Sequence, residues 1–116
     1  MKRLITLLAL VVCVGLNAQK PKPDFEKKGD LVLATYYHEN GTVSQTGYFL
    51  DGKLQGEWKM FDDQGKKTAM GHYDHGNRTG KWYFWEADGI KEVEFADNAI
   101  ASITKHDQSD PVVIQD

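Results

Sequence analysis

The spacing of glycine is the feature that most constrains what this chain folds into. Nine of its eleven glycines lie between positions 41 and 89. Five of them end dipeptides that are typical of hairpin turns: Asn40-Gly41, Asp51-Gly52, Gln64-Gly65, His75-Gly76 and Asp88-Gly89. The intervals between these dipeptides alternate between 11 and 13 residues, so the period is 24. Because a tight two-residue hairpin turn needs positive φ, the pattern predicts a series of antiparallel hairpins.

A second set of residues keeps the same 24-residue period. Its members are Gly47 and Gly71, Gly56 and Gly80, Trp58 and Trp82, and the aromatic series Tyr37, Phe61 and Trp85. Internal repeats of this length are typical of arrays in which one supersecondary unit recurs. The predicted fold class is therefore all-β, an antiparallel hairpin meander of seven or eight strands in a single twisted sheet.

The turn positions also predict which residues face each other across neighbouring strands, since the turn sets the register of a hairpin. Trp58 is predicted to lie opposite Gly71, and Tyr73 opposite Gly56. Glycine inside a strand is favoured where another group approaches closely, so each ring is predicted to fold over the glycine it faces. The other predicted pairs are Gly47–Gly56, Phe49–Leu54, Gln45–Trp58, Gly71–Gly80, Ala69–Trp82, Trp82–Phe95 and Phe84–Val93.

The same register sorts the side chains onto two faces, as expected for an antiparallel sheet with one core side. The apolar face is predicted to carry Val32, Ala34, Tyr36, Phe49, Leu54, Trp58, Met60, Ala69, Tyr73, Trp82, Phe84, Val93 and Phe95. The polar face is predicted to carry Thr35, Ser44, Thr46, Gln55, Glu57, Lys59, Thr68, His72, Thr79, Lys81, Glu92 and Glu94.

The N-terminus has the pattern of a secretory signal peptide. Lys2 and Arg3 precede an apolar run, residues 4–16, that is too short to span a bilayer. Cleavage is predicted after Ala18, which makes residues 1–18 the signal peptide and places the mature protein in the periplasm or outside the cell. Cys13 is removed with that peptide, so the mature chain has no disulfide.

Three further boundaries follow from composition. Residues 19–30 are polar, contain Pro21 and Pro23, and are predicted to be a linker. The β-repeat domain is predicted over residues 31–106, and residues 107–116 are predicted to form a C-terminal tail.

Cleavage removes Lys2 and Arg3 and no acidic residue, so the net charge of −3 becomes −5. A mildly acidic exported protein is a poor candidate for binding nucleic acid or anionic lipid surfaces.

Two stretches of the repeat resemble the MORN family, and especially the variant repeats of bacterial proteins. They are Tyr36-Tyr37-His38-Glu39-Asn40-Gly41 followed by the segment 48–58, and the second copy over 61–82 that ends in Gly80-Lys81-Trp82. The resemblance covers roughly residues 31–98. It implies a β-repeat fold and a role as an interaction module, since some such repeats are proposed to contact lipids or proteins and some bacterial relatives are named antitoxins.

No catalytic arrangement is evident in the sequence, so the chain is predicted not to be an enzyme and to need no cofactor. His72-Tyr73-Asp74-His75 is the one cluster of potential metal ligands. On a strand, His72 and Asp74 share a face whereas His75 falls in a turn, and two ligands with a turn residue do not close a zinc site. The carboxylates of Asp62, Asp63, Glu86 and Asp88 are predicted to be solvated turn residues, because a glycosidase pair needs a cleft.

The aromatic row, defined as Tyr37, Phe61 and Trp85, is the predicted binding site. Regularly spaced and partly exposed rings suit stacking on sugars, peptides or another sheet. The other interpretation is that these rings pack against neighbouring strands and close the end of the sheet. The predicted function is a non-enzymatic interaction module for a protein or cell-envelope component.

Two alternative functions remain open from the sequence. The first is an accessory enzyme or metal-binding protein that uses His72 and His75. The second is a structural subunit that assembles through its sheet edges, which are exposed to pairing with other chains. For that case the strand over residues 31–37 is predicted to be the open edge, with Val112-Val113-Ile114 covering the other.

Overall fold

Each strand pairs with the strands before and after it in the chain, which gives one open, eight-stranded antiparallel sheet. The computed structural model describes residues 21–107. The strands are β1 (Asp24–Lys28), β2 (Leu31–Tyr37), β3 (Val43–Leu50), β4 (Lys53–Phe61), β5 (Lys67–Asp74), β6 (Asn77–Glu86), β7 (Gly89–Ala96) and β8 (Ala99–Asp107). The predicted all-β hairpin meander is confirmed. Within this range no helix has the length and apolar character needed to cross a membrane.

The connections at the two ends of the sheet differ in length. At the short-turn end, Asp51 and Gly52 have φ of 50° and 80°, and His75 and Gly76 have 53° and 88°. These dipeptides are the tight turns that the sequence predicted. The opposite end carries the loops over residues 38–42 and 62–66, and we call it the long-loop end.

Asn40-Gly41 and Gln64-Gly65 lie in these longer loops rather than in two-residue turns, so that detail of the prediction is wrong. In the first loop the Gly41 amide donates to the carbonyl of His38 at 2.9 Å. In the second the Gly65 amide donates to the carbonyl of Asp62 at 3.1 Å. Each glycine is the fourth residue of its turn and has positive φ, which is a common way to build a longer hairpin loop.

The turn predicted at Asp88-Gly89 lies one residue earlier, at Ala87-Asp88. Glu86 pairs with Gly89, so Trp82 faces Val93 rather than Phe95. The two predicted pairs Trp82–Phe95 and Phe84–Val93 are therefore wrong. A Cβ at Gly89 would lie 2.0 Å from the carbonyl oxygen of His106, so this glycine is needed for the close approach of β8.

The N-terminal part of the described chain corrects two predictions. Asp24–Lys28 forms β1, whereas the sequence predicted a linker through residue 30. β1 pairs with β2 from Asp24–Thr35 to Lys28–Leu31, so residues 31–37 are interior and are not the open edge. The free edges of the described sheet belong to β1 and β8. The predicted signal peptide, cleavage site, Cys13 and Val112–Ile114 lie outside the described residues.

A register shift in the β3–β4 hairpin explains the first glycine–tryptophan pair. Phe49 faces Leu54 as predicted, but Gly47 faces Trp58 and not Gly56. The shift leaves Gly56 of β4, whose φ is 79°, without a pairing partner on β3. The Trp58 ring lies over Gly47, where a Cβ would come within 2.3 Å of it.

The same shift recurs 24 residues later, in the β5–β6 hairpin. Ala69 faces Phe84 rather than Trp82, and the shift lies between Met70 and His72. The ring of Trp82 lies over Gly71, where a Cβ would come within 1.9 Å of it.

Both tryptophans also donate a hydrogen bond beside the shift. The indole N–H of Trp58 donates to the carbonyl of Tyr48 at 3.2 Å, and that of Trp82 to the carbonyl of His72 at 3.0 Å. A buried indole N–H needs a partner, and a carbonyl beside an interrupted ladder supplies one. Glycine, bulge and tryptophan therefore form one structural unit, present twice.

These contacts correct the predicted packing of the rings. Trp58 does pair with Gly71, and Tyr73 with Gly56, as the register predicted. However, Trp58 folds over Gly47 on the preceding strand, and nothing lies within 4 Å of a Cβ built at Gly56. Gly56 and Gly80 are required for their positive φ of 79° and 70° and not for space.

The core lies on the apolar face and is built mainly from rings. Trp58, Trp82, Val93 and Phe95 are its buried members, and Tyr36, Phe49, Leu54, Tyr73 and Phe84 pack against them. The rings of Tyr73 and Trp82 meet edge to face with centroids 5.1 Å apart, a favoured aromatic geometry. Met60 is 39% exposed despite its predicted place in the core. Met70 is 2% exposed, although its register with Lys59 places it on the polar face.

Candidate binding surface

The aromatic row lies on the polar face at the long-loop end of the sheet. Tyr37 ends β2, Phe61 ends β4, and Trp85 lies near the end of β6, so the three rings occupy alternate strands. All three are half-buried. Val43 pairs with Tyr37, and Lys67 pairs with Phe61, so these residues fill the intervening strands. The row is thus a continuous line of side chains that crosses the strands.

A hollow of about 580 Å³ opens beside the central ring of the row. It is lined by Thr35, Gly41, Thr42, Val43, Thr46, Phe61 and Gly65. The lining includes Gly41 and Gly65 of the two long loops, which have no side chains to fill the space, and the apolar side chains of Val43 and Phe61. The sequence predicted Phe61 but not Val43 or the threonines, which carry no signal of their own.

The threonine hydroxyls around this hollow are engaged within the protein. Thr46 Oγ1 donates to the carbonyl of Ala34 at 2.9 Å and lies 3.4 Å from Thr35 Oγ1. Thr42 Oγ1 donates to Asn40 Oδ1 at 2.7 Å. Since these donors are already used, the hollow offers a ligand mainly methyl groups, a ring and acceptor lone pairs.

The two long loops are fastened to each other and to the row. His38 Nε2 lies 2.9 Å from the carbonyl oxygen of Phe61. Asn40 Nδ2 donates to the carbonyl of Asp63 at 2.8 Å. The loop over 38–42 therefore holds both the backbone of Phe61 and the neighbouring loop, which fixes the central ring of the row relative to the hollow.

Asp62 closes the second of these loops. Its Oδ1 accepts the backbone N–H groups of Gln64 and Lys66, both at 2.9 Å. The hydrogen bond from the Lys66 amide, followed by that from Gln64, holds the pKa of the Asp62 carboxyl below its usual value despite some desolvation. Asp62 is thus ionised and structural, in agreement with its predicted role as a turn residue.

The outer rings of the row each have a charged neighbour. The Tyr37 hydroxyl donates to the carboxylate of Asp24, and this hydrogen bond raises the pKa of the phenol. The Lys67 ammonium lies 5.7 Å from the centroid of the Trp85 ring, within the range of a cation–π contact. Tyr37 is therefore anchored through its hydroxyl.

An ion cluster borders the Trp85 end of the row. Lys105 Nζ lies 3.1 Å from Glu86 and 3.2 Å from Asp88. Its hydrogen bonds to Glu86 and then to Asp88 raise the pKa of the ammonium group. Glu86 and Asp88 are thus engaged by a β8 lysine, which ties the last strand to the β6–β7 turn.

The histidine cluster is dispersed over the surface. His75 Nδ1 lies 2.7 Å from Asp74 Oδ1, and both side chains are exposed. His72 is exposed and pairs across the sheet with Glu57 and Thr79. Between residues 21 and 107 no three His, Cys, Asp or Glu side chains are grouped so that they could hold a metal.

Comparison with known proteins adds no relative: no family model, curated protein or solved structure matches this chain.

Proposed function

We propose that this chain is an exported, non-enzymatic interaction module of the MORN type that binds its partner through the aromatic row. The observation that carries the proposal is the coincidence of the row with the hollow beside Phe61. Three half-buried rings lie in line on this face, with Phe61 and Val43 lining the hollow, and apolar patches at a surface are typical of recognition sites.

The nature of the partner follows from charge and location. A mature net charge of −5 disfavours nucleic acid and anionic lipid, and the predicted signal peptide directs the chain to the cell envelope or beyond. A protein or a cell-envelope component is the partner that fits both. The resemblance to bacterial MORN repeats supports the same class of role.

The test compares variants on opposite faces. Phe61→Ala removes the central ring of the row, and Met60→Ala is the matched control because Met60 is the exposed neighbour on the apolar face. Chemical cross-linking in the native envelope should recover the same partner with the wild type and Met60→Ala, and lose it with Phe61→Ala. Equal recovery with both variants would contradict the proposal.

A second function, assembly through a sheet edge, is favoured by β8. This edge strand has nine residues, and its Ile100 and Ile103 side chains are 59% and 58% exposed. By contrast, β1 has five residues, four of them charged, which is how natural sheets discourage edge pairing.

If β8 pairs with a second copy, the mass in solution should double as concentration rises, and Ile103→Lys should return it to a monomer. A monomeric wild type at millimolar concentration would exclude this function.

A further inference from the structure

We infer that the aromatic row binds a proline-rich segment in the polyproline II conformation, with a basic residue of that segment beside the 38–42 loop. This inference rests on the proposed function and specifies its ligand class. It is carried by three independent properties of the surface: the spacing of the rings, the chemistry of the hollow beside Phe61, and the charge of the adjoining loops.

The spacing of the rings matches a polyproline II repeat. Because the rings occupy alternate strands, and strands lie about 4.8 Å apart, the rings recur every ~9.6 Å across the sheet. A polyproline II helix repeats every three residues, over roughly 9.3 Å. A β-strand repeats its side chains every two residues, about 6.8 Å, so it would meet only some of the rings in register. A ligand with one apolar group per polyproline II turn meets all three.

The chemistry of the hollow also suits proline. Its apolar lining is Phe61 and Val43, and the Thr35, Thr42 and Thr46 hydroxyls are engaged inside the protein. A pyrrolidine ring needs only apolar contact, and its residue has no N–H to satisfy. A sugar would need several directional donors, and the threonine hydroxyls that could supply them are already used. Aromatic-lined grooves are also the general means of binding polyproline II segments.

A second hollow indicates which side chain flanks the prolines. It measures about 370 Å³, adjoins the long loops, and is lined by His38, Glu39, Asn40 and Asp63. Glu39 and Asp63 give it two carboxylates, and Asp62 adds a third close by. Lys66 is the one cation in the two loops over 38–42 and 62–66. The two loops therefore carry three carboxylates against one lysine, while Lys67 follows on β5 toward Trp85, and a lysine or arginine of the ligand complements the loops.

The experiment uses synthetic peptides and the isotope-labelled mature chain. The probe contains three Pro-x-x turns and one lysine next to the first turn, and its controls are the same peptide with proline replaced by alanine and with lysine replaced by glutamate. Titrations followed by amide NMR should shift Val43, Phe61 and Thr35. We expect both control peptides to bind at least about tenfold more weakly, the glutamate form with lost salt dependence.

Protein variants supply the reciprocal test. Phe61→Ala should weaken binding of the probe about tenfold, whereas Met60→Ala should change it less than about twofold. Asp63→Asn should weaken the lysine peptide but leave the glutamate peptide unchanged or improved. Amide spectra of each variant confirm the fold, and the altered peptides keep the test valid even if a variant unfolds.

Several outcomes would overturn the inference. They are equal binding of the proline and alanine peptides, shifts confined to the apolar face, and binding of a soluble β-linked oligosaccharide in place of the peptide. The proposed function is judged separately. If the peptides fail while cross-linking in the envelope still depends on Phe61, the ligand class is wrong and the interaction role stands.

Discussion

At the scale of single residues, the repeated glycines perform two distinct roles that look identical in the sequence. Gly47 and Gly71 supply space for an indole ring, whereas Gly56 and Gly80 supply positive φ. The sequence predicts all four as structural because they share a period with tryptophan. It does not reveal which role each has, because the direction in which a ring folds depends on the bulge beside it.

Asparagine substitutions should separate these two roles. Asn is one of the few residues that tolerate the left-handed region, so Gly56→Asn should cost about 1 kcal/mol or less. Gly71→Asn places a side chain inside the volume of the Trp82 ring, and overpacking of this kind costs roughly 1–3 kcal/mol or more. Urea denaturation of both variants measures the difference. Similar losses at the two positions would show that the assigned roles are wrong.

The Asp62 carboxylate gives a pH-dependent contribution to stability. Its pKa is below the usual value of 3.8 when folded, so the folded state favours the ionised form. Its contribution is fully present above the unfolded pKa and is lost as the pH falls through the folded pKa. Asp62→Ala should lower the melting temperature at neutral pH and make it less sensitive to acid than in the wild type.

Asp63→Ala is the matched control for this change. Asp63 is exposed, and the hydrogen bonds that close the loop are made by the Asp62 side chain. Thermal melts of both variants between about pH 2 and pH 7 cover the relevant window, since carboxylates titrate there. An Asp63 variant that loses as much acid sensitivity as the Asp62 variant would contradict the loop assignment.

At the scale of elements, pairing was predictable next to the Asp51-Gly52 and His75-Gly76 turns and failed beyond the bulges of those two hairpins. Phe49–Leu54 follows directly from the Asp51-Gly52 turn and is confirmed. Gly47–Gly56, a few residues further along, is wrong, because the bulge adds residues to β4 that counting from a turn does not include. In the β4–β5 hairpin, Trp58–Gly71 is confirmed although a shift lies between it and the loop, because the 62–66 loop moves the register by one residue and the shift between Met60 and Phe61 restores it.

The His75-Gly76 turn offers an improvement in stability. His75 has φ of 53°, and Asn adopts this conformation more readily. His75→Asn should therefore stabilise the β5–β6 hairpin by about 0.5 kcal/mol, as turn optimisation commonly does. It also removes the exposed contact with Asp74, whose contribution is small because surface ion pairs are weak. A rise in the urea midpoint checks the expectation, and a fall would show that the imidazole has a role that the turn geometry does not explain.

At the scale of the whole molecule, one sheet face must form a core without a second layer. Rings on nearby strands achieve this by packing against one another. Tyr36 on β2 contacts Trp58 on β4, across β3. Tyr73 on β5 then contacts both Trp58 and Trp82, which lies on β6. The face assignment was predictable from alternation. The identity of the free edges was not, because Asp24–Lys28 has four charged residues and only Phe25, whose ring contacts Tyr36, as an apolar one.

Hydrogen exchange should follow this organisation. Amides of β4, β5 and β6 lie beneath the ring cluster and have a paired strand on each side, so they should exchange most slowly. Amides of β1 should exchange fastest, together with the outward-facing amides of β8. Protection of outward-facing β8 amides at the level of β5 would mean that another strand covers this edge, which mass measurement would then assign to a second copy or to the same chain.

The 24-residue period has a consequence for how such a surface changes in length. Each period brings its own bulge, its own tryptophan and its own ring in the aromatic row, and each contacts mainly its neighbours. Duplication of one period inside the sheet would add a further ring at the same interval and leave the existing ones in place. The length of the aromatic row can therefore grow by one whole period at a time, through duplication, while the packing of the existing core stays the same.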